Sequence, residues 1–198
     1  MAELSFSQPA RRNLAVPILL ALAVLAAALF AVLHYTPHST ADVAVTRTDV
    51  YPSHIIFKSN SIVLNSDQAQ DDLYILANLR LTNHLRLPLF LKDFRASFNP
   101  GSPAETDALT TSAIEKPDLV NLFTTFPALK KLADAQGVKP LYRETRIEPG
   151  QSAEGYIVLH FPGTRDLWDK RQNATVAIDL YHQPPLTADI PNLTPAQP

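Results

Sequence analysis

The chain has 198 residues, with 17 Lys and Arg against 19 Asp and Glu and a net charge of −2. That balance, spread without long runs of one sign, excludes a nucleic-acid footprint, which needs clustered cations. Cysteine is absent, which excludes disulfides, thiolate metal sites and a lipidated cysteine, and leaves the redox compartment open.

Leu14 to Leu33, LAVPILLALAVLAAALFAVL, is a run of twenty residues without a charge. A helix rises about 1.5 Å per residue, so about twenty residues cross a hydrocarbon core of roughly 30 Å. Leu and Ala, both good helix formers, fill the run. Pro17 lies in its first turn, where a missing N–H costs little, and His34 and Tyr35 follow at the far end. We expect a membrane span over 13–35, carried by Leu14, Leu20, Leu25, Phe30 and Leu33 among others. Arg11 and Arg12 precede it, and no Lys or Arg follows until Arg47. By the positive-inside rule, residues 1–12 form a cytoplasmic tail and the remainder lies outside the cytoplasm, giving a single-pass protein of the cell membrane. A cleaved signal peptide is the alternative. Its apolar core would be about 7–15 residues with small residues at the cleavage site, whereas this run is longer and offers only Ala-Leu-Phe-Ala at 28–31.

Residues 36–41 read as a linker and 42–183 as one domain. Short strand candidates come first, at 42–50 and 55–64. In Leu73–Thr82, Leu73, Ile75, Ala77, Leu79 and Leu81 share one face and Tyr74, Asn78, Arg80 and Thr82 the other, the pattern of a half-buried antiparallel strand. Leu87–Phe98 predicts a second long strand, bent near Lys92-Asp93. In Asp118–Ala135 the apolar residues recur at three- and four-residue steps, which predicts helix. Pro127 divides it, so we expect two short helices within an insertion over 116–137, with Gly137 as a stop. Leu141–Ile147 is a further short candidate, followed by a turn at Glu148-Pro149-Gly150-Gln151, where Pro presets one dihedral and Gly tolerates positive φ. Tyr156–Phe161 and Thr175–His182 alternate again. Residues 184–198 hold five prolines and read as a disordered tail. Seven or so strands with turn signals predict a mainly β fold, an antiparallel β-sandwich with a small helical insertion behind one N-terminal transmembrane helix.

The strand ending in Thr82-Asn83, then LPLFLKDFRASF at 87–98, then IEPGQSAEGYIVLHF at 147–161 together resemble small immunoglobulin-like domains exported by bacteria, many without an assigned function. The first half is also similar to the late-embryogenesis-abundant type 2 domain, although there the Asn is followed by Pro and here by His84. The resemblance covers roughly residues 70–183 outside the helical insertion. It implies an Ig-like sandwich and an extracytoplasmic location, and it carries no catalytic residues.

No H-x-x-x-H or H-x-x-E-H pair occurs among the six histidines, so no metal or other cofactor is expected. His34, His38 and Asp42 are spaced by four, but Pro37 works against the helix that would align them. Asp71, Asp72, Glu144, Glu154 and His160 would have to converge in one pocket for acid–base chemistry, and we expect no enzyme. The sequons at Asn173 and Asn192 are of a kind frequent by chance. Trp168, between Arg165 and Lys170, is either a contact hot spot or packing under the sandwich edge. Leu122, Phe123, Phe126 and Leu129 of the insertion either dock a partner or cap the open end of the sandwich. The expected function is a membrane-anchored, non-enzymatic binding or envelope-maintenance module whose partners are the lipid bilayer and an envelope protein. The alternative is a carrier of a small apolar ligand or lipid between sheet and inserted helices.

Overall fold

The computed structural model describes residues 15–35, 39–57, 68–101 and 107–191. The expected tail at 1–12, Leu14, His38, the second half of the strand candidate 55–64 and the end of the proline-rich tail lie outside them. Two compact units divide at residue 38.

The first unit contains α1 (Ala15–Tyr35), an unbroken 21-residue helix with no buried residue. At about 1.5 Å per residue it measures roughly 32 Å, enough to span a bilayer. It carries no Asp, Glu, Lys or Arg, and Leu20, Leu25, Phe30 and Leu33 are all exposed.

The second unit is the β-sandwich. Alternation over 73–81 produces β2 (Gln68–Asn83), which pairs on one side with β1 (Ala41–Phe57) and on the other with β6 (Ser152–Pro162), all antiparallel. The facing sheet has the order β4-β3-β7-β8, built from β3 (Leu89–Asn99), β4 (Leu109–Ser112), β7 (Asn173–Leu180) and β8 (Gln183–Asp189), with β5 (Arg146–Ile147) pairing β3. Strands one, two and six thus form one sheet, and strands three, seven and eight lie in the other.

Between the sheets, Leu73, Ile75, Ala77, Leu79 and Leu81 meet Phe94, Ala96, Phe98, Val176, Ile178 and Leu180. Period-2 patterning dictates this layer, because alternate residues of a strand face the same way. The far end of the core is closed by α4 (Arg165–Asp169), whose Trp168 is 3% exposed and stacks edge-on to Phe98 at 5.2 Å. Arg171 lies over the Trp168 ring at 3.7 Å, donates to the Trp168 carbonyl, and reaches the Ile190 and Pro191 carbonyls. Burial of this guanidinium lowers its pKa.

Three sequence expectations change here. Residues 184–189, expected in a disordered tail, instead belong to β8 (Gln183–Asp189), an edge strand, and Ile190 behind it is buried. Proline is tolerated there because an edge strand has one side free of ladder bonds, and a bulge between Ile178 and Leu180 takes up Pro184-Pro185. Leu141–Ile147 is not one strand, since only Arg146 and Ile147 pair with β3, while Pro140 bridges in parallel to Tyr156 on β6. The candidates at 42–50 and 55–57 are one strand, continuous through a bulge between Val45 and Arg47.

Candidate functional site

The inserted helices are α2 (Lys116–Thr125) and α3 (Pro127–Ala135), and Pro127 opens the second as its spacing requires. They do not cap the end of the sandwich. Their apolar face covers the outer face of the β1-β2-β6 sheet, where Leu119, Leu129 and Ala133 pack on Tyr74, Leu76, Tyr156 and Val158. Hence β2 is buried on both faces over 72–79, although its polar Tyr74 and Asn78 predict a solvated side. Phe126 sits in an aromatic group, 5.3 Å from Tyr74 and 6.1 Å from Tyr51. The C-terminus of α3 is tied down by Arg47, which donates to the Ala135 carbonyl and pairs with Asp49, while Asp49 accepts from Gln136. Cations complement the negative end of a helix in this way.

The expected partner-binding residues therefore separate. Leu129 is completely buried and Trp168 lies in the core, so neither can touch a partner; each fills space that a packed interior cannot leave empty. Leu122, Phe123 and Phe126 are half-buried against the sheet. On the insertion, Val120 is the exposed large apolar side chain, at 65%. The space between sheet and helices, where an apolar ligand would lie in the carrier reading, is occupied by these side chains. Replacing Phe126 with Ala should cost about 2 kcal/mol in chemical denaturation, below the range of a fully buried Phe because the ring is half-exposed. Val120→Ser should change stability by less than about 0.5 kcal/mol.

Burial raises the phenol pKa values of Tyr74, Tyr142 and Tyr156, with Asp72 adding to the effect at Tyr74 and Tyr142 adding at Tyr156. Unfolded tyrosine ionises near 10, so above that pH the unfolded chain loses protons that the folded one retains. Stability should then be level up to about pH 10 and fall as the pH rises further. Thermal unfolding between pH 8 and 11 measures this, and Tyr74→Phe should flatten the decline.

The carboxylates and histidines form separate pairs. His160 contacts the buried Asp72 at 2.9 Å, and Gln70 donates to both Asp72 oxygens. Asp71 belongs to the opposite strand face and meets His54 at 2.7 Å. Glu154 is bound to Arg80. Arg143 spans Asp93 and Glu115, at 3.2 and 2.9 Å, beside a depression of about 200 Å³ that Glu144 also lines. Hydrogen bonding to Asp93 raises the Arg143 pKa. Asp72 and His160 lie within hydrogen-bond distance of each other, but Glu144 and Glu154 stand elsewhere. Among the described residues no three His, Asp or Glu gather around a possible metal position.

A more highly organised region lies at the end of the sandwich where β1 begins. Asn83, with no exposed surface, donates to the Leu87 and Ile147 carbonyls and accepts from the Leu85 N–H. Its own backbone pairs with Gln151 and Gly150. One side chain thus holds the loop 84–88 against the 148–151 turn, while Tyr181 of the β7–β8 turn bonds to the Phe90 carbonyl. Outward from this scaffold stand Leu87 at 69% exposure, Phe90 at 39% and Tyr181 at 43%. Arg146 lies 5.9 Å from the Phe90 ring, and Arg86 is exposed between Leu85 and Leu87. The sequence singled out Asn83 and the Pro-Gly turn but not these exposed residues, because LRLPLF at 85–90 reads as the start of a strand. Pro88, which delays β3 to Leu89, was the available signal.

No family model matches this chain, and no curated protein matches it. Among solved structures, an uncharacterized β-sandwich protein from Clostridium difficile 630 shares 9% sequence identity, with 79% of this chain and 89% of that one covered at a TM-score of 0.37. The sandwich assigned above rests on this chain's own strand pairing.

Proposed function

We propose that the protein is a membrane-anchored module that presents a rigid sandwich outside the cytoplasm and acts by binding, in the manner of an envelope-maintenance component. The observation that carries this reading is α1, a 21-residue helix without Asp, Glu, Lys or Arg and without a buried residue, joined to the sandwich by a few residues. An apolar surface of that length has to be removed from water, and a bilayer removes it. The binding half of the proposal draws on the loop cluster organised by Asn83, since exposed side chains on loops fixed by a rigid scaffold are where recognition concentrates.

The chain contains no cysteine, so single cysteines introduced at Asp166 and in the N-terminal tail report topology cleanly. A membrane-impermeant maleimide should label Asp166→Cys in intact cells and leave Ser7→Cys unlabelled until the cells are lysed, and alkaline carbonate should not extract the protein. Release by carbonate, or labelling of Ser7→Cys in intact cells, would refute the anchored orientation.

A further inference from the structure

We propose that the exposed cluster Leu87, Phe90 and Tyr181, with Arg86 and Arg146, docks on the surface of the membrane that holds the anchor. This deepens the anchored reading and rests on it. Three observations select a lipid surface over other occupants.

The first is chain length. Thr40 is fixed at this end of the sandwich, its carbonyl accepting from the His84 N–H. Only five peptide steps separate Tyr35, the last residue of α1, from Thr40. An extended chain covers about 3.5 Å per residue, so the covalent reach is at most about 18 Å. The strand order puts the 84–88 loop, the 148–151 turn and the 181–182 turn at the same end as Ala41, which pairs with Asn83. The opposite end, with α4, is ten residues further along β6.

The second is chemistry. A protruding leucine, a half-exposed phenylalanine, a tyrosine and the exposed Arg86 are side chains that suit the boundary between headgroups and acyl chains. The aromatic rings sit across that boundary and guanidinium groups meet phosphate. Of the two cations, Arg86 stands exposed while Arg146 is paired with Glu148; Asp42 is paired with His84, and Glu144 is exposed where its N–H meets the Leu91 carbonyl.

The third is rigidity. Asn83 fixes two of the three loops through buried hydrogen bonds, so little conformational freedom is lost when the cluster enters the interface.

The test uses the full chain, which supplies no background thiol. Spin labels at Val24→Cys, Leu87→Cys and Asp166→Cys are examined in vesicles of phosphatidylcholine and phosphatidylglycerol, with lipid-soluble oxygen and a water-soluble nickel chelate as collision partners. The expected result is Val24→Cys in the hydrocarbon, Asp166→Cys in water, and Leu87→Cys about 5–10 Å below the phosphate level. A label at Gln151→Cys should lose its interfacial position when Leu87 is changed to Asp. Val24→Cys in lipid with Leu87→Cys as aqueous as Asp166→Cys overturns the docking and leaves the anchor standing. Val24→Cys in water overturns the anchor and the docking together. A Leu87→Cys label immobilised but shielded from both collision partners assigns the patch to a second copy of the chain and overturns lipid docking.

Discussion

Asn83→Ala should lower the stability of the sandwich by about 3–4 kcal/mol, among the larger effects of any single substitution in this chain. The amide makes three hydrogen bonds from a site with no exposed surface, to the Leu87 and Ile147 carbonyls and the Leu85 N–H. Removing it strands those three backbone groups, and stranded groups in a dry interior cost more than the bonds return when made. Urea denaturation of the full chain in detergent, followed by near-ultraviolet circular dichroism around the single Trp168, measures the loss. Asn83→Asp separates donor from acceptor. A carboxylate can still accept from Leu85 but would face two carbonyl oxygens, which favours its protonated form and raises its folded pKa above the unfolded value. Its protonated form is the one compatible with the fold, so this variant should be nearest the parent below about pH 4 and fall away as the pH rises. An Asn83→Ala protein within about 1 kcal/mol of the parent would show that the loop cluster holds itself without this side chain.

Gly155→Ala should be at least as damaging, by about 3–5 kcal/mol, through a different mechanism. A Cβ at this position would collide with the Lys139 carbonyl oxygen and stand 2.9 Å from Leu141 Cγ. Backbone cannot rotate away as a flexible side chain can. The segment 139–141 would have to leave β6 and break the bonds from Tyr156 N–H to Lys139 and from Leu141 N–H to Tyr156. Those bonds cover the free edge of β6, so their loss would also expose a strand edge prone to pairing with another chain. Hydrogen exchange at Leu141 and Tyr156 should rise well before global unfolding. Gly150→Ala is the informative comparison. Unlike Gly155 it has a positive φ, +69°, and nothing lies within 4 Å of its added carbon, so only the left-handed backbone is penalised, by about 1 kcal/mol. Equal costs at the two positions would mean that close approach at Gly155 is not what the fold requires.

These two residues show where the sequence was readable. Asn83 and Gly155 both belong to the pattern that resembles exported Ig-like domains. Their actual work is long-range: Asn83 reaches 64 residues along the chain to Ile147, and Gly155 admits the segment at 139–141. Neither contact leaves a periodic signal, since each joins strands to loops whose separation in sequence is arbitrary.

What the sequence determined by itself was whatever depends on local repetition. The uncharged run gave α1, because membrane length is a simple count of residues. Alternation gave β2 and the inter-sheet core, because neighbouring side chains of a strand must face opposite ways. Three- and four-residue steps interrupted by Pro127 gave α2 and α3. Tertiary structure alone decided which surface those helices cover, and so why Tyr74 and Asn78 are buried. It also decided that the prolines at 184 and 185 belong to an edge strand, where half the backbone is free of ladder bonds. And it gathered Leu87, Phe90, Tyr181, Arg86 and Arg146 at the end of the sandwich where β1 begins, a neighbourhood set by strand order.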